Sequence, residues 1–176
     1  KIVLMKYIKT AIIFIFIILI INSCGSVSQI SQTSGLSIAR LNTIPSDANI
    51  VKVYKEDISA IDFYDEVFNI LLSRGHRISK DDAERLYITT EGKDVGESTL
   101  QRMTLLINEV ENGSQLVITT EWRAGTQASA MAVAISGLPV QSQWEEASWE
   151  ISRLGVAFAE SVAIAVGIEN GIISYD

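Results

Sequence analysis

One cysteine, one histidine and two prolines in 176 residues exclude most familiar site chemistries. A lone thiol, Cys24, closes no intramolecular disulfide and builds no multi-cysteine metal site. A lone imidazole, His76, completes no Ser-His-Asp triad and no histidine-rich metal site. His76 lies in SRGHR just beyond an expected helix end and is read as a surface or capping residue. Asp81, Asp82 and Glu84 form an acidic stretch without the Gly-turned loop of about 12 residues that holds Ca²⁺, so they are read as a solvated turn. Gly92 and Gly96 flank Lys93-Asp94 without the spacing of a phosphate-binding loop. Glu145, Glu146 and Glu150 suit the start of a helix, where carboxylates favour the macrodipole. No catalytic residue, metal or cofactor is expected. An enzyme working through carboxylates alone is the one catalytic alternative.

Long apolar runs are scarce as well. AIIFIFIILII, Ala11 to Ile21, covers about 16 Å as a helix, short of the roughly 30 Å of a hydrocarbon core. Lys6 and Lys9 precede it and small residues follow it, the layout of a secretory signal peptide that is removed before folding. At its exit Ile21-Asn22-Ser23-Cys24 resembles the bacterial lipobox, in which an aliphatic residue, two mostly small ones and a cysteine direct acylation and cleavage. The resemblance implies that residues 1–23 are a lipoprotein signal peptide and that Cys24 becomes the mature N-terminus, carrying acyl chains of the palmitate kind on its sulfur and amine. Several buried chains, each CH₂ worth about 0.8 kcal/mol, anchor a protein durably. Gly25 rather than Asp follows the cysteine, which implies a protein of the cell envelope sorted to the outer membrane and facing the periplasm. An uncleaved membrane anchor, or an ordinary signal peptide, with an incidental cysteine is the alternative. MKYIKT reads as a natural start, leaving Lys1 and Met5 both open as first residue.

Basic charge is the next scarcity. Removing Lys1, Lys6 and Lys9 with the leader reduces 14 basic residues to 11, against 21 acidic ones, for a formal charge of −10. Phosphate backbones repel such a surface, so nucleic acid is not an expected partner.

Residues 24–45, including GSVSQISQTSGLSIARLNT, are rich in Ser, Gln and Thr and lack a clear periodicity, so they read as a flexible tether. A turn at Pro45-Ser46-Asp47 opens a single domain over 46–176. NIVKVY reads as a strand. SAIDFYDEVFNILLSRG reads as a helix with Ile61, Tyr64, Val67, Phe68, Leu71 and Leu72 on one side, a Ser59/Asp62 capping box, and Gly75 in a left-handed stop. Three strands follow. Leu86 and Ile88 share a face in the first, Met103, Leu105 and Ile107 in the second, and Leu116, Ile118 and Trp122 in the third. Asn112-Gly113 marks a tight hairpin between the last two. A helix from Ser142 to Ala165 closes the domain, with Ala147, Ile151, Leu154, Phe158, Val162 and Ala165 as its stripe, and Gly155 permitting close approach to the sheet.

The order β-α-β-β-β-α predicts an α+β fold, an antiparallel sheet of four or five strands with two helices on one face. YDEVFNILLSRGHRISKDDAERLYITTE also resembles the small α+β domains of the lipoprotein C subunit of the β-barrel assembly machinery in its succession of helix, Gly turn, acidic loop and alternating strand. That likeness implies a fold and carries no catalytic residue across.

Ala124 to Gln143 is uncharged and offers Met131, Val133 and Ile135 in alternation, either as a fifth strand or as a mobile loop. Trp144 and Trp149 follow it. These five residues are the candidate contact with a partner, since tryptophan is favoured at binding hot spots; the alternative is an edge strand with both tryptophans packed internally. The expected function is that of a non-enzymatic lipoprotein, anchored through Cys24, which binds another envelope protein as an accessory or scaffold. A carrier of a lipid or small apolar ligand between the sheet and the last helix is the second reading.

Overall fold

The computed structural model describes residues 27–96, 98–125, 143–150 and 152–176. Among them eight strands form one open antiparallel sheet, accompanied by four helices. In chain order these are α1 (Val27–Ser34), α2 (Ile38–Leu41), β1 (Ile50–Glu56), α3 (Ala60–Ser73), β2 (Ile78–Asp82), β3 (Tyr87–Thr90), β4 (Lys93–Asp94), β5 (Thr99–Val110), β6 (Gly113–Ala124), β7 (Glu145–Glu146), α4 (Arg153–Val166) and β8 (Ile172–Tyr175). The sheet runs β2-β3-β5-β6-β1-β8, with β4 added to β5 and β7 to β6. No helix of the described residues is long and apolar enough to cross a membrane.

The β5–β6 hairpin is the spine of the sheet. Val110 pairs with Gly113, leaving Glu111-Asn112 as the turn, and Asn112 takes a φ of 62°. The register then runs unbroken to Thr99↔Ala124. Alternate residues face inward: Thr99, Gln101, Met103, Leu105 and Ile107 on β5, and Ser114, Leu116, Ile118 and Thr120 on β6. Val51, Val53 and Ile88 extend the same buried layer. Their neighbours along each strand are half-buried or exposed, so among the described residues the second face of the sheet stays open. Leu86 precedes β3 in a left-handed conformation and packs only partly against the core.

The α3 helix begins as expected. Ser59 Oγ accepts from the Asp62 amide at 3.1 Å and donates to its carboxylate at 2.6 Å. Its buried stripe differs from the expected one. Ala60, Phe63, Tyr64, Val67 and Leu71 face the core, while Ile61 is 66% exposed, Leu72 is exposed and Phe68 is only partly covered. The spacings i, i+3, i+4 and i+7 fit both sets, and packing selected the one that buries the Phe63 ring.

The last helix starts at Arg153, not Ser142. Glu145 and Glu146, expected on a helix, instead pair with Trp122 and Glu121. Tertiary hydrogen bonds claim the next amides as well: Ala147 donates to Thr120 O at 2.9 Å and Trp149 to Ala48 O at 2.7 Å. Ser152 then caps α4 by accepting from Leu154 N. Gly155 serves a close approach different from the expected one, since a Cβ there would overlap the Glu150 carbonyl rather than the sheet. From Gly155 to Ala165 every residue is buried, as suits a helix apolar all round. It packs against β1, β5 and β6 and against α1 and α3.

Residues 27–45 are not a flexible tether. VSQISQTS forms α1, which lies against α4, and Ile30, Leu36, Leu41 and Ile44 join the core. The scarcity of apolar residues concealed this, because most of the few present are buried, Ile38 being the exposed exception. The turn at Pro45 is as expected, with Ala48 N bonded to Pro45 O and Asp47 at φ 65°. The two short helices and β2, β4, β7 and β8 lie beyond the expected two helices and four or five strands.

Candidate functional site: a buried carboxylate cluster and a tryptophan on the open face

α4 carries a single charge in its apolar middle, Glu160, and that carboxylate is only 4% exposed. A carboxylate withdrawn from water requires compensation, and three side chains supply it. At the end of α3, Gly75 takes a φ of 77°, its amide bonds Leu72 O, and the His76 amide bonds Leu71 O. This glycine-terminated reversal turns Arg74 and His76 together toward α4. Arg74 donates from Nη2 to Oε2 at 2.7 Å and from Nε to Oε1 at 3.2 Å. His76 Nε2 lies 3.0 Å from Oε1. Lys93, from β4, donates to Oε1 at 2.9 Å and to the Arg74 carbonyl at 2.7 Å. Burial alone would raise the Glu160 pKa, but the His76, Arg74 and Lys93 hydrogen bonds outweigh it and hold the value at about 2 rather than the ordinary 4.5.

His76 is therefore a core residue, 3% exposed, and not the surface residue expected from SRGHR. Its Nε2 faces the carboxylate and its Nδ1 is buried without a hydrogen-bond partner. Among the described residues no serine, threonine or tyrosine hydroxyl hydrogen-bonds the ring. Arg74 Nη2 also donates to Ser34 O at 3.3 Å, so the cluster ties the ends of α1 and α3 to α4 and β4. A second buried polar group links the sheet to α4: Ser161 Oγ bonds Thr120 Oγ1, and Gln101 Nε2 reaches the Ala157 carbonyl at 3.4 Å.

The open face carries a different arrangement. Trp144 packs against two guanidinium groups, with Arg102 4.5 Å and Arg123 4.6 Å from its ring centroid. Arg102 is fixed in turn by Glu121, its cross-strand partner, through bonds of 2.6 and 3.1 Å. Beside this pair lies a cavity of about 240 Å³, bordered by Tyr87, Thr89, Arg102, Thr104 and Glu121.

The expected contact residues divide. Trp144 is half-buried on the open face, whereas Trp149 is buried and hydrogen-bonded through its backbone to Ala48 and Asp47. Cys24, Met131, Val133 and Ile135 lie outside the described residues. No protein-family model matches the chain, and no curated protein matches it in sequence. Two signals would have found the residues that sequence reasoning missed. A lone acid within RLGVAFAESVAIAV demands cationic partners, and counting outward from Asn112-Gly113 sets Arg102 opposite Glu121.

Proposed function

We propose that the chain is a lipid-anchored lipoprotein of the bacterial envelope that acts without catalysis, as an accessory or scaffold protein binding another envelope protein. Its leader is residues 1–23, its anchor Cys24, and its station the periplasmic side of the outer membrane. The observation carrying the partner-binding reading is Trp144, packed against Arg102 and Arg123 on the face of the sheet that no helix of the described residues covers. Tryptophan and arginine dominate binding hot spots because they offer broad apolar area with directed polar contacts at modest entropic cost. Here both guanidinium groups are already positioned, which lowers the cost of ordering them on association. The contact centre is thus moved from Met131, Val133 and Ile135 to Trp144 and its arginines. The space between the sheet and α4 is filled by Leu105, Ile118, Phe158 and Val162, so packing gives no support to an apolar carrier.

A photo-crosslinking residue placed in living cells at Val117, on the open face, should capture one envelope protein, and Trp144→Ala should reduce that capture several-fold. The same residue at Ile61, on the exposed side of α3, should capture none. Equal capture from both positions would refute the contact face. Loss of membrane fractionation in Cys24→Ala tests the anchor separately.

A further inference from the structure

We infer that the domain is mounted directly on the bilayer, with the exposed polar side of α1 resting on the phospholipid headgroups and the β5–β6 hairpin tip directed away from them. This rests on the lipoprotein reading and specifies its geometry.

The first support is length. Only Gly25 and Ser26 separate Cys24 from Val27, the first residue of α1. Three Cα steps of about 3.8 Å cover at most roughly 11 Å, so acyl chains on Cys24 hold the start of α1 within that distance of the membrane surface. The second is rigidity. α1 is part of the core through Ile30, which is fully buried, and its last turn is held by Arg74 through the Ser34 carbonyl. Fixing α1 at the membrane therefore fixes the whole domain.

The third support is charge. A domain with a formal side-chain charge near −10 is repelled by anionic lipids, yet no charged residue occurs between Lys9 and Arg40. α1 carries neither an acid nor a base, and Ser28, Gln32 and Thr33 lie exposed upon it. The first charge after it, Arg40, is a cation. The helix forced closest to lipid phosphate is thus itself uncharged, while the acid on the neighbouring loop, Asp94, is turned to accept from the Gly96 amide at 2.9 Å.

The hairpin tip lies far from α1 along β5. Thr33, near the end of α1, lies against Gly96 just before β5 begins at Thr99. The hairpin tip is one strand length further on, about 36 Å at roughly 3.3 Å per residue.

The lipidated chain lends itself to a direct test, because its single cysteine is consumed by the anchor and any introduced cysteine labels uniquely. Fluorophores on Gln32→Cys and Glu111→Cys, in vesicles of phosphatidylethanolamine and phosphatidylglycerol containing a headgroup quencher, should differ several-fold in quenching, with position 32 the stronger. A long Gly-Ser insert between Cys24 and Val27 should abolish the difference. Equal quenching without the insert, stronger quenching at position 111, or a difference that survives the insert would overturn the proposed mounting. Chains that lack an acyl mass and fail to float with vesicles would instead overturn the lipoprotein reading beneath it.

Discussion

Glu160 Oε1 lies 3.0 Å from His76 Nε2 at a point where both side chains are withdrawn from water. The same oxygen accepts from Lys93, and the other oxygen from Arg74. Removing the carboxylate leaves two cations and a buried imidazole facing one another. Glu160→Ala should therefore cost about 3 kcal/mol or more, the range for breaking a buried ion pair on one side. Urea unfolding measures this, and a loss below about 1 kcal/mol would mean that water already screens the cluster.

The same contacts set an acid limit. The folded pKa of Glu160 lies near 2, below its ordinary 4.5, so the folded state releases this proton more readily than the unfolded chain. That stabilisation is complete above pH 4.5 and is lost as pH falls through the window toward 2. The lost stability is on the order of 3 kcal/mol. Between those limits Glu160→Gln should show a flatter dependence of unfolding free energy on pH than the parent; parallel curves would assign acid unfolding to other carboxylates.

Local signals with one solution were read correctly from the sequence. Asn112-Gly113 marks the hairpin, with Glu111-Asn112 as the turn and Gly113 paired to Val110, and the strands are twelve residues long on each side. Ser59, Asp62 and Gly75 bound α3 because capping chemistry is local. The misreadings share a different cause. Ile61 and Phe63 both suit a helical stripe, and only the shape of the neighbouring sheet decides between them. Residues 145–149 have helix-compatible composition, yet their amides are claimed by Thr120 and Ala48, residues distant in sequence. Ile30 looked like an isolated aliphatic in a polar stretch, while its burial depends on α4, more than a hundred residues away. His76 was placed at a helix end, correctly, but the carboxylate that draws it inward belongs to another element.

The two tryptophans, five residues apart in sequence, should now separate in experiment. Trp149 is buried and its backbone joins the 147–149 segment to Ala48, so Trp149→Ala should cost about 3 to 5 kcal/mol, as large core aromatics do. Trp144→Ala forfeits two cation–π contacts on the surface and should cost about 1 kcal/mol. Thermal melts of the two variants would contradict this assignment by showing similar losses, or the larger loss for Trp144.

Gly155 permits the chain at Glu150 to cross the first turn of α4, where an added Cβ would overlap a carbonyl oxygen. Backbone cannot move aside as a flexible side chain can. Gly155→Ala should therefore cost about 1 to 3 kcal/mol, the range for overpacking, although alanine favours helix by nearly 1 kcal/mol elsewhere. A stabilised variant would show that the 150 carbonyl lies further from α4.

Ile30 gives the sharpest separation between a tether and a structural helix. A flexible tether contributes nothing to cooperative unfolding, so shortening one of its side chains leaves the midpoint unchanged. As part of α1, however, Ile30 is fully buried against the core, and Ile30→Ala should cost about 2 to 4 kcal/mol through lost transfer energy and the cavity left behind. Gln32→Ala, an exposed change on the same helix, should alter stability by less than about 0.5 kcal/mol and serves as the reference. Urea titration of residues 25–176, prepared without the leader, compares the two directly. Equal midpoints would return residues 27–45 to the status of a linker and remove the rigid link on which a fixed orientation at the membrane depends.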